Sequence, residues 1–311
     1  MAATNMPPPT DMLSALGGSA ARRRRERMVS LVLMAAAGLS VVITLGIVLT
    51  VLFEAIQFLG QIDLSQLFTI GWFPRRGMFD IPTILIGSIL VTVIAMSLAI
   101  PIGLLSAIYL SEYAKPRVRR VVKPILEVLA GIPSVVLGFF ALTVITPDLI
   151  KVFFPQAGAF NMLAAGIGVG ILSIPLVASV SEDAMRAVPQ NLREASYGLG
   201  AKPLTTSLQV VFPAAISGIV AAIILATSRA VGETMVVAVA AGTPQLRSWD
   251  PLQPGGTMTS AMVQLATGSD QVAGNAAAYL SLFFVGLLLF LITLGLNVLG
   301  DIYVQRTRAR Y

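Results

Sequence analysis

The chain has 311 residues, of which 56% are hydrophobic and 12% charged, and its mean hydropathy is +0.85. A soluble domain of this composition would expose more apolar surface than water tolerates, so the length divides into membrane spans rather than soluble domains. Cysteine and histidine are absent, which excludes disulfides, thiolate chemistry, the commonest metal ligand and the usual general base.

Residues 1–27 read as a disordered basic cytoplasmic tail, with Pro7-Pro8-Pro9, Gly17-Gly18 and an arginine cluster from Arg22 to Arg25. That cluster suits an anchor to anionic membrane lipid better than a nucleic-acid patch. The first apolar run, 28–53, is too long for a signal-peptide core and has no small-residue cleavage site, so it is expected to remain as a helix. Charge-poor runs predict six spans at about 28–53, 81–111, 124–147, 161–181, 213–242 and 271–300, each able to cross a hydrocarbon core that needs about 20 helical residues. Together they form a 28–303 transmembrane domain with 182–212 as a cytoplasmic loop inside it. The fold class is therefore an all-α integral membrane protein with no soluble catalytic domain.

The positions of Lys and Arg set the orientation. Five precede span one (Arg22, Arg23, Arg24, Arg25, Arg27) and five follow span two (Lys115, Arg117, Arg119, Arg120, Lys123). Three lie between spans four and five (Arg186, Arg193, Lys202), and three follow span six (Arg306, Arg308, Arg310). The alternate segments hold only Arg75, Arg76, Lys151 and Arg247, so both termini are expected in the cytoplasm. This asymmetry accounts for the net charge of +6 without nucleic acid. Two outer loops, 60–80 with Trp72, Pro74, Arg75 and Arg76 and 243–270 with Trp249, fit either interfacial anchoring or a platform for an extracytoplasmic solute-binding protein. Residues 257–266 have the spacing of a short helix.

Ionisable residues inside spans are costly and therefore candidates for function. Arg229 and Glu233 stand four apart, flanked by Ser228 and Thr234, and at about 100° per residue they are expected on one helix face. Two roles fit: a self-neutralising ion pair that holds span five, or a fixed positive group on a translocation pathway with Glu233 limiting how tightly an anion is held. Glu127 stands four residues after Lys123, which fits an i,i+4 pair, while Gly131, Pro133 and Ser134 suggest a locally opened helix lining a cavity.

The 182–212 loop spends some thirty residues on structure. Pro189 can open a helix, 190–197 has helix-forming content, and Gly198 or Gly200 can close it with a left-handed cap. That helix would present Leu192, Arg193, Ser196 and Tyr197 to a partner, or be a plain surface helix. Its spacing, Glu194-Ala195-Ser196, then Gly200, Val210 and Phe212-Pro213, resembles the EAA loop by which permeases of ABC importers dock on their ATPase subunits. Ser196, Val210 and Phe212 depart from the usual Ala, Ile and Leu.

The resemblance narrows on Ile100-Pro101-Ile102-Gly103, Tyr109-Leu110-Ser111-Glu112-Tyr113-Ala114, Leu129-Ala130-Gly131-Ile132-Pro133-Ser134, Ala187-Val188-Pro189 and Arg229-Ala230-Val231-Gly232-Glu233-Thr234-Met235. These runs are similar to the phosphate importer permeases over about 81–303. Met235 and the Trp72/Pro74 loop favour the PstC-type subunit over its PstA-type partner. The resemblance implies a type I importer permease with a coupling helix between helices four and five. It further implies a second, paralogous permease, two copies of an ABC ATPase, a phosphate-binding protein, and Mg-ATP bound to the partner ATPase only. The chain has no G-x-x-x-x-G-K-[ST] sequence and no cofactor or metal site of its own. Arg193, Glu194, Ala195, Ser196 and Gly200 would then carry ATPase coupling, and Arg229, Glu233, Glu127, Ser134, Ser228 and Thr234 the pathway. The alternatives are a permease for another oxyanion, such as molybdate or sulfate, and an ATP-independent secondary transporter.

Overall fold

The computed structural model describes residues 20–243, 246–268 and 276–307, and these are predominantly helical. The helices are α1 (Ala20–Gln61), α2 (Ile81–Ile108, continuing to Tyr113), α3 (Pro116–Ala130), α4 (Ser134–Phe153), α5 (Met162–Arg186) and α6 (Gln190–Gly198). They are followed by α7 (Pro203–Ala214), α8 (Ile216–Val231), α9 (Met235–Ala240), α10 (Met258–Thr267) and α11 (Ala276–Thr307). Two short strands, β1 (Trp72–Phe73) and β2 (Met78–Phe79), form an antiparallel hairpin before α2.

Among the described residues α1, α2, α4, α5 and α11 are each long and apolar enough to cross a membrane. The pair α7 and α8, bent by 70°, passes the same test only when taken together. Three sequence expectations change. Residues 20–27, expected within a disordered tail, are the first turns of α1; residues 1–19 lie outside the described residues. The expected span 124–147 is divided, because Gly131 caps α3 and Pro133, lacking an N–H, cannot continue its hydrogen-bond ladder, so the apolar helix restarts at Ser134. The expected span 213–242 is broken at Ala215 and again at 232–234. The start of the expected sixth span, 271–275, lies outside the described residues, as do Arg308 and Arg310.

Through Phe53, α1 forms a unit by itself with its apolar side chains largely exposed, as a helix bathed in lipid requires. In the remainder, α2 and α5 pack together along most of their lengths. Small residues permit this: a Cβ on Gly103 would stand 2.7 Å from the Val177 side chain, and one on Gly166 2.6 Å from Ile94. The core between them takes Val91, Ala95 and Ala99 from α2 and Ala164, Val169 and Leu172 from α5. It adds Leu137 and Ala141 of α4, Ala226 of α8 and Val236 of α9.

At the Trp72 end a second cluster joins Phe58, Trp72, Phe79, Ile84, Met258 and Leu280, with Phe58 and Phe79 edge to face at 5.0 Å. Trp72 is buried here rather than free to anchor at an interface, whereas Trp249 is exposed. The helix expected over 257–266 is α10, opened by a capping box in which Thr257 and Ser260 exchange side-chain and backbone bonds. Asp80 pins this end. Its fully buried carboxylate accepts two bonds from Arg247 at 2.7 and 2.6 Å, one from Thr83 and one from the Gly71 N–H. Burial works against the charged form of Asp80, but these bonds outweigh it and hold its pKa below the usual carboxylate range.

Candidate functional site

The two groups of candidate residues lie on different elements. In the first, α8 ends at Val231 with Gly232 as its cap, and α9 starts afresh at Met235. Arg229 and Glu233 therefore do not share the face of one continuous helix, and the ion pair, one of their two expected roles, is not formed. Glu233 instead caps α9, its Oε1 accepting from the Val236 N–H at 3.3 Å, while its backbone carbonyl accepts from Thr259 Oγ1 at 2.6 Å. Thr234 Oγ1 bonds back to the Gly232 carbonyl, and Ser228 Oγ donates to Asn297 Oδ1 on α11 at 2.7 Å. Arg229 is exposed, and among the described residues it makes no hydrogen bond or ion pair.

Ser134 sits half-buried at the start of α4, and Glu127 is exposed on α3. The expected pair of Glu127 with Lys123 is absent. Lys123 Nζ turns instead to Glu182 Oε2 at 2.8 Å and Asp183 Oδ1 at 2.6 Å. Burial would lower the pKa of Lys123, but hydrogen bonds to Asp183 and Glu182 raise it. Glu127 lines a cavity of ≈ 860 Å³ at the basic end of the bundle, together with Glu112, Arg119, Arg120, Lys123, Arg186 and Arg193. The other five pathway candidates do not line it. The structure therefore keeps Ser228, Arg229, Glu233 and Thr234 near the α8–α9 break and separates Glu127 from them.

The second group forms on α6. Pro189 precedes its first turn, and Gly200 closes it at φ +80°, where a side chain would be strained. Glu194, Ala195, Tyr197 and Gly200 are exposed, and Leu199 is 90% exposed, an unusual cost for a leucine that touches nothing. Arg193 and Ser196 depart from the expectation that they face a partner. Arg193 lies against the bundle, donating to Glu112 at 3.0 and 3.3 Å, to the Met185 carbonyl at 2.9 Å and to the Val188 carbonyl at 2.7 Å. A guanidinium offers five donors in a rigid fork, so one side chain can close the end of α5 and the end of α2 together. Ser196 shares a 2.8 Å bond with Thr206 on α7.

Sequence reasoning missed Glu112, Glu182 and Asp183 as structural partners. The available signal was an acidic doublet, Glu182-Asp183, immediately after a charge-free run and among three basic segments assigned to the same side.

Residues 99–309 match the family model described as binding-protein-dependent transport system inner membrane component. The chain belongs to this family. The permease is 30% identical over 294 residues to the phosphate transport system permease protein PstC of Mesorhizobium japonicum, covering 89% of each chain. It is 33% identical over 234 residues to the probable ABC transporter permease protein YqgH of Bacillus subtilis, covering 73% of each. It is also 33% identical over 218 residues to PstA of Mycobacterium leprae, covering 70% of this chain and 67% of that one. Among solved structures it is similar to the inward-facing MetNI methionine ABC transporter, with a TM-score of 0.57 and 21% identity over 72% of this chain and 94% of the other. That likeness shows the type I importer permease fold.

Proposed function

We propose that this chain is a PstC-type permease subunit of an ATP-driven importer of inorganic phosphate. The observation that carries this reading is the likeness to phosphate transport permeases over 89% of both chains. The permease supplies half of a pathway completed by a PstA-type paralogue, and receives phosphate from an extracytoplasmic binding protein. The helix α6 docks on one of two ATPase subunits, which hold Mg-ATP. Both termini and α6 lie in the cytoplasm, and lipid covers the outer faces of the spans. Support comes from the open side of α6, where Glu194, Ala195, Tyr197, Leu199 and Gly200 offer a contact surface that the other described residues leave exposed.

Arg229 is the anion-attracting group of the pathway. Its charge is not cancelled by an ion pair, and it sits where α8 breaks and backbone groups are freed. Ser228, Glu233, Thr234 and Ser134 shape that region, and Glu127 faces the cytoplasmic exit. The test is radiolabelled phosphate uptake in a strain lacking this chain and any redundant importer, complemented by wild type, Arg229→Lys and Arg229→Gln. Molybdate and sulfate serve as competitors. Wild type should restore phosphate uptake. Arg229→Lys should retain part of it, because the charge survives without the planar fork, and Arg229→Gln should lose it while still assembling. Uptake that molybdate or sulfate abolishes at equal concentration would reassign the substrate, and full uptake by Arg229→Gln would remove this residue from the pathway.

A further inference from the structure

None of the residues of α3 is buried and none enters a hydrophobic core cluster. Val121, Ile125 and Val128 are each more than half exposed, while the charged side chains Arg119 and Lys123 turn toward α5. Its principal neighbour is α5. Apolar packing therefore does little to hold it. The connection is ionic: Arg119 Nη2 stands 2.5 Å from Glu182 Oε1, and Lys123 reaches both Glu182 and Asp183. Arg186 adds a longer contact at 3.8 Å. Glu182 is at the centre and is completely buried. A buried ion pair is a poor way to gain stability, because desolvation offsets most of the attraction, but it defines position well.

Glu182 lies eight residues before Gln190, the start of α6, with Pro189 between them. Arg193 of α6 ties the same region to Glu112, three residues before the Lys115 that caps α3. Two ionic clamps thus bind α3, the end of α5, α6 and the end of α2. At its other end α3 is joined to α4 through the Gly131–Pro133 break. Next, α4 approaches α9 so closely that a Cβ on Gly138 would stand 2.9 Å from Val239 and 3.2 Å from the Met235 carbonyl. The N-terminus of α9 is the one capped by Glu233.

We infer that Glu182 is a positioning residue for transport: it locks α3 to the α5–α6 corner, so that a displacement of α6 swings α3 and, through the Gly131–Pro133 break, moves α4 against α9 beside Arg229. The inference rests on the reading of α6 as the ATPase-docking helix. It assigns transmission to a rigid ionic unit and one hinge rather than to a continuous wire.

The test uses the full chain assembled with its partner permease and ATPase in proteoliposomes, with the phosphate-binding protein and phosphate supplied on the side opposite the ATPase. Val136→Cys on α4 is the only cysteine in the chain, since the natural sequence has none, and a maleimide reports its accessibility. Adding ATP with vanadate should change the labelling rate about 5-fold or more, the scale of ordinary allosteric coupling. In Glu182→Gln that change should vanish while ATP hydrolysis persists, so that phosphate moved per ATP falls. Glu182→Asp, which keeps the charge, should restore part of it. If Glu182→Gln fails to assemble, Lys123→Gln, which leaves Arg119 on the buried carboxylate, decides by the same reading. An undiminished ATP response in the neutralised variant, or no response in wild type, overturns the inference. A wild-type complex that responds to ATP but takes up no phosphate overturns the substrate assignment and leaves the clamp standing.

Discussion

Replacing Arg193 with alanine tests whether α6 is held by this one side chain. The substitution removes two bonds to Glu112, whose side chain is 5% exposed, and one each to the Met185 and Val188 carbonyls. Breaking a buried pair by deleting one partner costs about 3–5 kcal/mol, and bonds to charged groups about 1.5–3 kcal/mol each. Because Arg193 is itself 11% exposed and water can enter the open cavity beside it, about 3 kcal/mol is the reasonable figure. At about 1.4 kcal/mol per tenfold, local opening of α6 should become ~100-fold more frequent. Hydrogen exchange on the detergent-solubilised chain without its ATPase reads this directly: protection over 190–198 should fall by about two orders of magnitude while α5 over 162–181 is unchanged. Arg193→Lys keeps a charge near Glu112 but loses the fork, so it should fall between. Protection in Arg193→Ala within about threefold of wild type would show that the hydrophobic contacts of Leu192 hold α6 instead.

Gly87→Ala should lower the thermal midpoint of the solubilised permease, because its Cβ would stand 2.2 Å from the Gly256 carbonyl, whereas Gly46→Ala, with nothing within 4 Å, should not. Gly200→Val should leave folding intact yet weaken co-purification of the ATPase: φ +80° costs a branched residue about 1–2 kcal/mol, although no atom lies near the added Cβ. Glu194→Lys should do the same by changing the exposed face; full uptake by both variants would show that α6 is not the motor contact. The Asp80 pKa is depressed, so its stabilising effect is fully present above the ordinary carboxylate range and is lost only as pH falls through the folded value. The thermal midpoint of the solubilised permease should therefore hold down to mildly acidic pH and fall only below the usual carboxylate range, while Asp80→Asn should lower it already at neutral pH. An Asp80→Asn midpoint equal to that of wild type at neutral pH would refute this account.

Composition and periodicity sufficed for the membrane class, for most of the long helices and for the α6 helix with its glycine cap, because each depends on local properties: apolar length, a proline before the first turn, a glycine that accepts positive φ. Spacing could not settle which charges meet. Arg229 with Glu233 and Lys123 with Glu127 both satisfy the i,i+4 rule, yet neither pair forms. In the first case Gly232 ends the helix between the partners. In the second, Glu182 and Asp183, some 60 residues away in sequence, offer Lys123 two carboxylates where Glu127 would offer one. A charge takes its partner from whatever the packing of α2, α3 and α5 brings within hydrogen-bond reach, and that long-range packing also turned Arg193 inward to Glu112 and buried Glu182. A sequence read a few residues at a time contains no measure of that distance.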